Sequence, residues 1–161
     1  MAGYYFSKHS IMQQILHEIK YKGNQTLAIQ MGRLLGNRLC KSQRIIPDAI
    51  VPLPLHYKKQ RSRGYNQAEL IGRGVCEMLN LTILNQAIIR TAHTETQTKK
   101  GRIERWQNME GKFELTDPSL IQGKHILLID DVITTGATLE SCGEVLLKAG
   151  CKLSVACLTI A

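Results

Sequence analysis

The chain has 161 residues, of which 43% are hydrophobic and 21% are charged, and its formal net charge is +8. This length and composition fit one soluble globular domain, taken as 1–161, with a sizeable core. No apolar run is long enough to span a bilayer and the N-terminus lacks a signal-peptide core, so we expect a cytoplasmic protein. The positive charge favours a polyanionic partner, either nucleic acid or a small molecule with several phosphates.

Two amphipathic helices are predicted in the N-terminal part, 1–45. Ser10 can cap the first, whose apolar residues follow helical spacing over 11–19. A similar spacing recurs over 27–39. We expect both helices to pack on a sheet or under a small hood. The lysine-bearing segment 19–23 between them is either solvent-exposed surface or a lip that faces the substrate.

A short strand over 48–51 precedes a strongly basic segment. Pro52 and Pro54 end the strand, because proline lacks a ladder donor and restricts the residue before it to extended backbone. Five basic side chains then follow within 56–63, where we expect an exposed loop. This loop could also be plain solvated surface or a nucleic-acid patch, although few aromatic residues that could stack on bases lie nearby, namely Tyr57 and Tyr65.

The middle of the chain is predicted to alternate between weak and strong elements. Asn66 and Glu69 form a plausible capping pair for a helix that ends at Asn80. Two weak strand candidates follow, at 83–84 and 87–89. The polar segment 90–110 has no convincing period, which predicts a long flexible loop.

The most informative segment runs from His125 to Gly150. Four apolar residues after His125 predict a buried parallel strand that ends at two carboxylates, Asp130 and Asp131. A Thr- and Gly-rich turn leads into a helix that closes at Gly150, and a final strand follows over 153–160. The order of elements predicts an α/β fold with a mostly parallel sheet flanked by helices.

The turn after the two carboxylates has the features of an anion site. Free backbone N–H groups and the dipole at a helix N-terminus attract phosphate, and small hydroxyl side chains add donors without crowding. Asp130 and Asp131 would repel such an anion unless the ligand brought groups for them to hold. A ribose 5-phosphate with Mg²⁺ meets this condition. The alternative is that both acids merely end a strand, as in a receiver domain or a Walker-B strand.

The cysteines give little support to zinc binding or a disulfide framework. They are scattered without a C-x-x-C pair, and no histidines cluster beside them. Most lie among apolar residues, which is typical of small core side chains. The five cysteines are Cys40, Cys76, Cys142, Cys151 and Cys157.

Three segments resemble a known family. LLIDDVITTGAT at 127–138 is similar to the phosphoribosyl pyrophosphate (PRPP) motif of type I phosphoribosyltransferases. VPLPLHYKKQRSRGYNQAEL at 51–70 and the segment 90–113 resemble the ComF subgroup of that family. The resemblance runs from about Ile19 onward and implies a type I phosphoribosyltransferase-like fold with a flexible hood loop. Many ComF-like proteins also carry an N-terminal zinc ribbon, whose paired cysteines are lacking in this sequence.

The resemblance also implies roles for particular residues. Asp130 and Asp131 would be the catalytic acids, holding the ribose diol and Mg²⁺, the latter largely through ligand and water. The 5-phosphate would bind Val132, Thr134, Thr135, Gly136, Ala137 and Thr138. The pyrophosphate would bind Leu55, His56, Lys58, Lys59 and Arg63. The flexible loop would contribute Gln97, Lys100, Arg102 and Arg105.

The implied activity is Mg-dependent transfer of a phosphoribosyl group from PRPP to a small-molecule acceptor, with inversion at C1 and release of pyrophosphate. Hypoxanthine-type enzymes place a third acid where this sequence has Thr134, so the acceptor, a candidate nucleobase, need not be hypoxanthine or guanine. The alternative is a catalytically silent PRPP- or nucleotide-binding accessory protein of DNA uptake, in contact with single-stranded DNA or its helicase machinery. A homodimer without membrane attachment is expected.

Overall fold

The computed structural model describes residues 2–5, 11–42, 46–91 and 113–161. A five-stranded parallel sheet lies at the centre, in the order β1-β7-β6-β2-β3, and β4 pairs with β5 in a separate antiparallel sheet. The strands are β1 (Ala2–Tyr5), β2 (Ala49–Pro52), β3 (Thr82–Ile83), β4 (Ile88–Arg90), β5 (Phe113–Leu115), β6 (His125–Ile133) and β7 (Lys152–Ile160).

Helices cover both faces of the central sheet. The helices are α1 (Ile11–Tyr21), α2 (Gln25–Ser42), α3 (Tyr57–Arg63), α4 (Gln67–Leu79) and α5 (Ala137–Lys148), and a 3₁₀ turn spans Pro118–Leu120. Helices α1, α2 and α4 form one hydrophobic core with the sheet, whereas α5 and the β4–β5 pair form the other. The predicted α/β class, with a parallel sheet flanked by helices, is confirmed. None of the helices in the described residues has the length and hydropathy needed to cross a bilayer.

Strand β6 shows why the sheet forms. Its four apolar residues from Ile126 to Ile129 have no solvent exposure, as expected for a central strand covered on both faces. Leu127 and Ile129 pack in the core with α1, α2 and α4, while Ile126 and Leu128 pack in the core with α5. Successive side chains of a strand point to opposite faces, so both cores are built on one short run.

The closest helix contact is between α2 and α4, and two glycines permit it. A Cβ at Gly74 would lie 2.7 Å from the Arg33 backbone nitrogen, and the Ile29 carbonyl oxygen would be nearer still. A Cβ at Gly32 would meet the Ile71 carbonyl oxygen in the same way. Only glycine therefore fits at positions 32 and 74 of this crossing. The crossing in turn fixes where the N-terminus of α4 lies.

The strand that carries the two acids is longer than predicted. β6 does not end at Asp131 but continues to Ile133, because its partner β7 pairs with it as far as Ile160. On the other side the last pair is Pro52 with Ile129, and the Leu53 N–H donates to the Ile129 carbonyl at 2.8 Å. β2 therefore leaves the sheet just before the two acids and opens a recess beside them.

The N-terminal part, predicted as helical, also contains a strand. β1 pairs in parallel with β7 at the edge of the sheet. Ser10, the predicted cap of α1, lies outside the described residues, and α1 itself ends at Tyr21 as its pattern indicates.

The basic segment at 56–63 is a helix rather than the predicted loop. His56 caps α3 through a 3.3 Å hydrogen bond that its Nδ1 accepts from the Lys58 N–H, and Gly64 closes the helix with φ of 79°. Since α3 buries none of its residues, its sequence lacks the apolar period by which helices are recognised.

The predicted cap of α4 is correct for Asn66 but not for Glu69. The Asn66 side chain accepts from the Ala68 N–H, and Asn80 ends the helix in the left-handed conformation. The Glu69 carboxylate instead accepts from Arg73 at 2.6 Å and from Asn85 at 3.1 Å.

Candidate active site

A cavity of about 170 Å³ lies in the recess where β2 leaves the sheet. Its walls differ in charge: the acids of β6 are on one side, and basic and amide side chains from α1, α3, α4 and β4 are on the others. The lining residues are Lys20, Leu53, Pro54, Leu55, Lys59, Arg63, Asn66, Gln67, Ala68, Arg90, Asp130, Asp131 and Thr138. Such a polar cavity at the carboxyl ends of parallel strands is where α/β proteins bind ligands.

Asp130 and Asp131 approach the cavity from opposite faces of the sheet. Asp131 follows the alternation of Leu127 and Ile129, and its Oδ2 lies 3.0 Å from Lys20 Nζ of α1. Asp130 points to the α5 side, and its Oδ1 accepts a 2.8 Å hydrogen bond from the Asp131 N–H. Adjacent acids on one strand can thus engage two different parts of one ligand.

Burial raises the pKa of Asp130 to about 7. The neighbouring Asp131 carboxylate raises this pKa further, whereas the hydrogen bond from the Asp131 N–H and the Lys20 ammonium lower it. Near neutral pH the protonated form of this carboxyl is therefore far more populated than that of an ordinary aspartate. A bound cation or a pair of hydroxyl donors would favour the ionised state.

The raised pKa of Asp130 predicts a pH-dependent stability. The folded protein binds this proton up to about pH 7, whereas the unfolded chain releases it near 3.8. The contribution is thus complete below pH 3.8 and is lost as the pH rises to 7, by up to about 1.4 kcal/mol per pH unit. In urea unfolding at pH 5, 6, 7 and 8, Asp130→Asn should gain stability relative to the unaltered protein as the pH rises. Equal pH slopes in both proteins would contradict the prediction.

Lys20 is the cation that balances the second acid. Its side chain is 20% exposed and that of Asp131 is 11% exposed, so the pair is largely removed from water. Lys20 lies in the segment 19–23, for which the sequence left open either exposed surface or a lip facing the substrate. The ion pair with Asp131 and the position of Lys20 in the cavity wall favour the second alternative, a lip that faces the substrate.

Lys20→Met is expected to destabilise the protein by about 2–4 kcal/mol at pH 8, because it leaves a nearly buried carboxylate without its partner. The loss should be smaller at pH 6, where Asp130, whose pKa is raised to about 7, is more often protonated and adds less negative charge beside the unpaired Asp131. Lys22→Met is the matched control, since Lys22 pairs with Glu18 at 2.7 Å on the exposed face of the same segment and should cost under about 0.5 kcal/mol. Equal losses for the two variants in urea unfolding would show that the Lys20 pair is merely a surface pair.

Two hydrogen bonds hold the basic side chain of Arg63 and the start of α4 in position. Arg63 donates through Nη1 to Gln67 Oε1 at 2.9 Å, and the Asn66 side chain donates to the Leu53 carbonyl at 3.0 Å. The second bond ties the start of α4 to the chain leaving β2. Arg90 reaches the cavity from β4, and its guanidinium lies 5.4 Å from the centre of the Phe113 ring.

The Thr- and Gly-rich turn opens helix α5 as predicted. Gly136 is the cap residue, with φ of 79°, and has no side chain with which to satisfy the first-turn amides. Thr134, Thr135 and Thr138 are exposed, and Thr135 Oγ1 makes only a long 3.4 Å contact with the Ala137 N–H. A left-handed glycine at a helix N-terminus, flanked by exposed threonines, is suited to bind an anion.

A second cavity of about 500 Å³ adjoins the first and shares Lys20, Lys59 and Arg63 with it. Among the described residues, no acidic side chain lines it, and two tyrosines do. The lining residues are Lys20, Tyr21, Gly23, Lys58, Lys59, Ser62, Arg63 and Tyr65. The Arg63 guanidinium lies 5.5 Å from the centre of the Tyr21 ring. This second cavity is therefore suited to an anionic ligand.

The structure brings together part of the predicted site. Six predicted residues line the smaller cavity: Leu55, Lys59, Arg63, Asp130, Asp131 and Thr138. Lys58 lines the larger cavity, and His56 caps α3. Val132 is in β6, and Thr134, Thr135, Gly136 and Ala137 form the turn into α5. Gln97, Lys100, Arg102 and Arg105 lie outside the described residues.

Three polar residues of the cavity were not assigned from the sequence: Asn66, Gln67 and Arg90. Asn66 was identified as a helix cap and, like Gln67, as part of the ComF-like segment 51–70, without a role in the site. A polar residue in the first turn of a helix is usually solvated, so Gln67 gave no signal of its burial. Arg90 was assigned to the polar loop, and its place in the cavity wall follows only from its position in β4.

The two acids are compatible with Mg²⁺ only if a ligand supplies further oxygens. In the described part of the chain, no group of three or more His, Cys, Asp or Glu side chains is placed to hold a metal. Mg²⁺ commonly binds one or two carboxylates, several waters and the phosphates of a substrate. Asp130 and Asp131 fit that mode, so their role toward Mg²⁺ remains a prediction.

Comparison with known families gives a match over just over half of the chain. The model of the phosphoribosyl transferase domain matches residues 78–161, which include the two acids and the turn into α5. This match agrees with the resemblance of 127–138 to the PRPP motif.

Two curated relatives match most of the chain. Competence protein F of Haemophilus influenzae is 33% identical over 93% of this chain and 66% of its own length. DNA utilization protein YhgH of Escherichia coli is 30% identical over 86% of this chain and 62% of its own length. The resemblance to the ComF subgroup is thereby confirmed. The chain spans less than two thirds of the length of either relative.

Solved structures confirm the predicted fold. A glutamine PRPP amidotransferase from B. subtilis superposes with a TM-score of 0.56 at 17% identity, covering 81% of this chain and 26% of that one. An adenine phosphoribosyltransferase superposes with a TM-score of 0.55 at 16% identity, covering 91% of this chain and 75% of that one. At these identities the likeness concerns the fold alone.

Proposed function

Since the chain belongs to the phosphoribosyl transferase family, we propose that it binds PRPP with Mg²⁺ and transfers the phosphoribosyl group to a small acceptor. The observation that carries this proposal is the opposed charge within one cavity. Two acids suited to hydroxyl groups and a cation face basic side chains suited to a pyrophosphate. PRPP presents both kinds of group.

Asp130 and Asp131 would accept hydrogen bonds from the ribose 2- and 3-hydroxyls. Each acid comes from a different face of the sheet, so the two hydroxyls can be held at once. Mg²⁺, when bound, would neutralise phosphate charge and orient the leaving group. Lys20 would have to release Asp131 or share it with the sugar, because its ammonium lies 3.0 Å from the oxygen that the ligand would use.

Lys59 and Arg63 would stabilise the pyrophosphate as it leaves. Negative charge grows on this group when its bond to C1 breaks, and fixed positive charge in a partly enclosed cavity favours that change. The acceptor atom bonds to C1 from the opposite side, which inverts that carbon, and its proton passes to solvent. The turn at Thr134–Thr138, with its exposed amides and hydroxyls, would hold the 5-phosphate.

The direct test measures binding and turnover separately. PRPP is titrated in the presence of Mg²⁺ by calorimetry, and pyrophosphate release is then followed with a panel of nucleobases and other amines. We expect PRPP binding that requires Mg²⁺ and pyrophosphate release with at least one acceptor. Absence of PRPP binding by the unaltered protein would overturn the proposal.

A second candidate function is that of an accessory protein for DNA uptake that binds PRPP or a nucleotide without turnover. Two observations favour it. The larger cavity is lined by cations and tyrosines, with Tyr21 68% exposed, and bases can stack on such rings. The curated relatives are named for competence and for DNA utilization. Single-stranded DNA or its helicase machinery would then be the partner.

The two candidates make different predictions for DNA binding. Under the second, an oligothymidine should bind with an affinity that falls steeply with salt, and Tyr21→Ala with Lys58→Ala should weaken it about tenfold. Asp130→Asn should leave this binding unchanged. PRPP binding without pyrophosphate release from any acceptor would favour the accessory role, and DNA binding that does not change with salt would exclude it.

The protein is further proposed to act in the cytoplasm and to be a homodimer. The dimer is an expectation from the family, and light scattering on the purified protein tests it. A mass of one chain at micromolar concentration would contradict it.

A further inference from the structure

Gln67, which lines the smaller cavity, carries a buried hydrogen-bond donor that is not used. The residue is the first of α4, is 2% exposed and lines the cavity. Within the described residues, its Nε2 has no hydrogen-bond partner. Buried side-chain donors are nearly always paired, because leaving one unpaired costs free energy. A donor of this kind in a ligand cavity indicates that the ligand supplies the acceptor.

The orientation of the amide follows from its neighbour. Arg63 donates to Oε1 at 2.9 Å, and a guanidinium has no acceptor to offer. Reversing the amide would place two donors against each other, so the nitrogen must be the atom directed away from Arg63. Arg63 therefore fixes the amide so that its nitrogen is the unpaired atom of a residue that lines the cavity.

The surroundings favour an anionic acceptor. Arg63 and Lys59 line the same wall, and the N-terminus of the 13-residue helix α4 adds its partial positive charge. The acids belong to β6, on another wall of the cavity. A phosphate oxygen fits beside Gln67 better than a sugar hydroxyl, because its negative charge matches the cations Lys59 and Arg63 and a hydroxyl is neutral.

We propose that Gln67 is a substrate-binding residue whose Nε2 donates to an oxygen of the pyrophosphate group, next to Arg63. This inference adds a binding residue to the proposed function, and it rests on that function for the assumption that the whole ligand is PRPP. The donor would help to distinguish a ligand carrying pyrophosphate from one carrying only the sugar phosphate.

The test compares three ligands by calorimetry at constant excess Mg²⁺: PRPP, pyrophosphate and ribose 5-phosphate. Gln67→Met keeps the size of the side chain and removes the donor. It should weaken binding of PRPP and pyrophosphate by about tenfold or more, the usual effect of losing a hydrogen bond to a charged group. Binding of ribose 5-phosphate should change less than about threefold. Gln60→Met, on the exposed surface of α3, is the matched control and should bind all three as the unaltered protein does.

A second variant separates the donor from the positioning of Arg63. Gln67→Glu keeps an acceptor for Arg63, removes the donor and adds a negative charge, so it should bind pyrophosphate no better than Gln67→Met. Recovery of binding in Gln67→Glu would overturn the inference. Thermal unfolding without ligand should be within a few degrees for Gln67→Met and the unaltered protein, because the donor is unsatisfied until a ligand is bound.

The other outcomes also decide between the proposals. Unchanged pyrophosphate binding in Gln67→Met overturns the inference, as does an equal loss for all three ligands, which would indicate a structural role. If the unaltered protein binds pyrophosphate through Gln67 but does not bind PRPP, the proposed function fails and the inference stands. If it binds neither, both fail.

Discussion

Replacing Asp130 and Asp131 together by asparagine is expected to lower the affinity for PRPP with Mg²⁺ by at least 100-fold. Each carboxylate is proposed to accept a hydrogen bond from the ribose, and bonds to charged groups contribute about 1.5–3 kcal/mol each. Losing two gives about 3–6 kcal/mol, or a factor between about 100 and 10,000. Asparagine keeps the shape of the site, so the loss would report charge and not packing. Calorimetry at pH 8 is the measurement.

A matched control removes the same charge elsewhere. Glu140→Gln with Glu144→Gln changes two exposed acids of α5 and should leave the affinity within about threefold. The acid variant removes the buried charge of Asp130, which is unfavourable at pH 8, but it also removes the partner of Lys20, so urea unfolding at pH 8 must establish that the variant is folded. An affinity within threefold in a folded acid variant would contradict the assigned role of the acids.

Gly74→Ala is expected to destabilise the fold by about 3 kcal/mol or more. The new methyl group would meet the Ile29 carbonyl oxygen, and would lie 2.7 Å from the Arg33 nitrogen and 2.9 Å from the Gly32 Cα. All three are backbone atoms, so α2 and α4 would have to move apart. Overpacking usually costs about 1–3 kcal/mol and more when backbone must shift. A fall in melting temperature of roughly 10 °C is expected for a chain of this size.

Gly143→Ala is the control for glycine replacement in a helix. Its Cβ would meet only the Leu153 Cδ2 at 3.0 Å, and this is the end of a flexible side chain. The gain in helix propensity is up to about 1 kcal/mol, so the net change should be small. If both variants unfold at the same temperature, the α2–α4 crossing tolerates a methyl group and the assigned close contact is wrong.

The sheet and its principal motif could be predicted from local sequence. The four apolar residues before Asp130 need burial on both faces, which a central strand provides. The Thr- and Gly-rich turn after the acids predicts the start of a helix, because small residues and a glycine allow the chain to turn into its first helical residues. Asn66 and Asn80 bound α4 for equally local reasons, since one caps through its side chain and the other adopts the left-handed conformation.

The remaining features depend on contacts between distant segments. Lys20 reads as a surface residue until α1 is packed beside β6, where its ammonium meets Asp131. Gln67 reads as a solvated helix start until Arg63 and the end of β2 enclose it. Helix α3 has no buried face, so its existence rests on the His56 cap and on Gly64 alone. Such contacts leave no periodic trace in the sequence.

The difference in strand length around the acids has a consequence for how ligand preference can change. β2 has four residues and its neighbour β6 has nine, so the ligand space exists because one strand stops early. Pro54 and Leu55 line the cavity, and exchanging them leaves the paired backbone beneath the acids unaltered. Engineering toward a new acceptor should therefore begin at Pro54 and Leu55, which lie between the Leu53 bond to β6 and the His56 cap of α3, because substitutions there reshape the ligand space and leave its support intact.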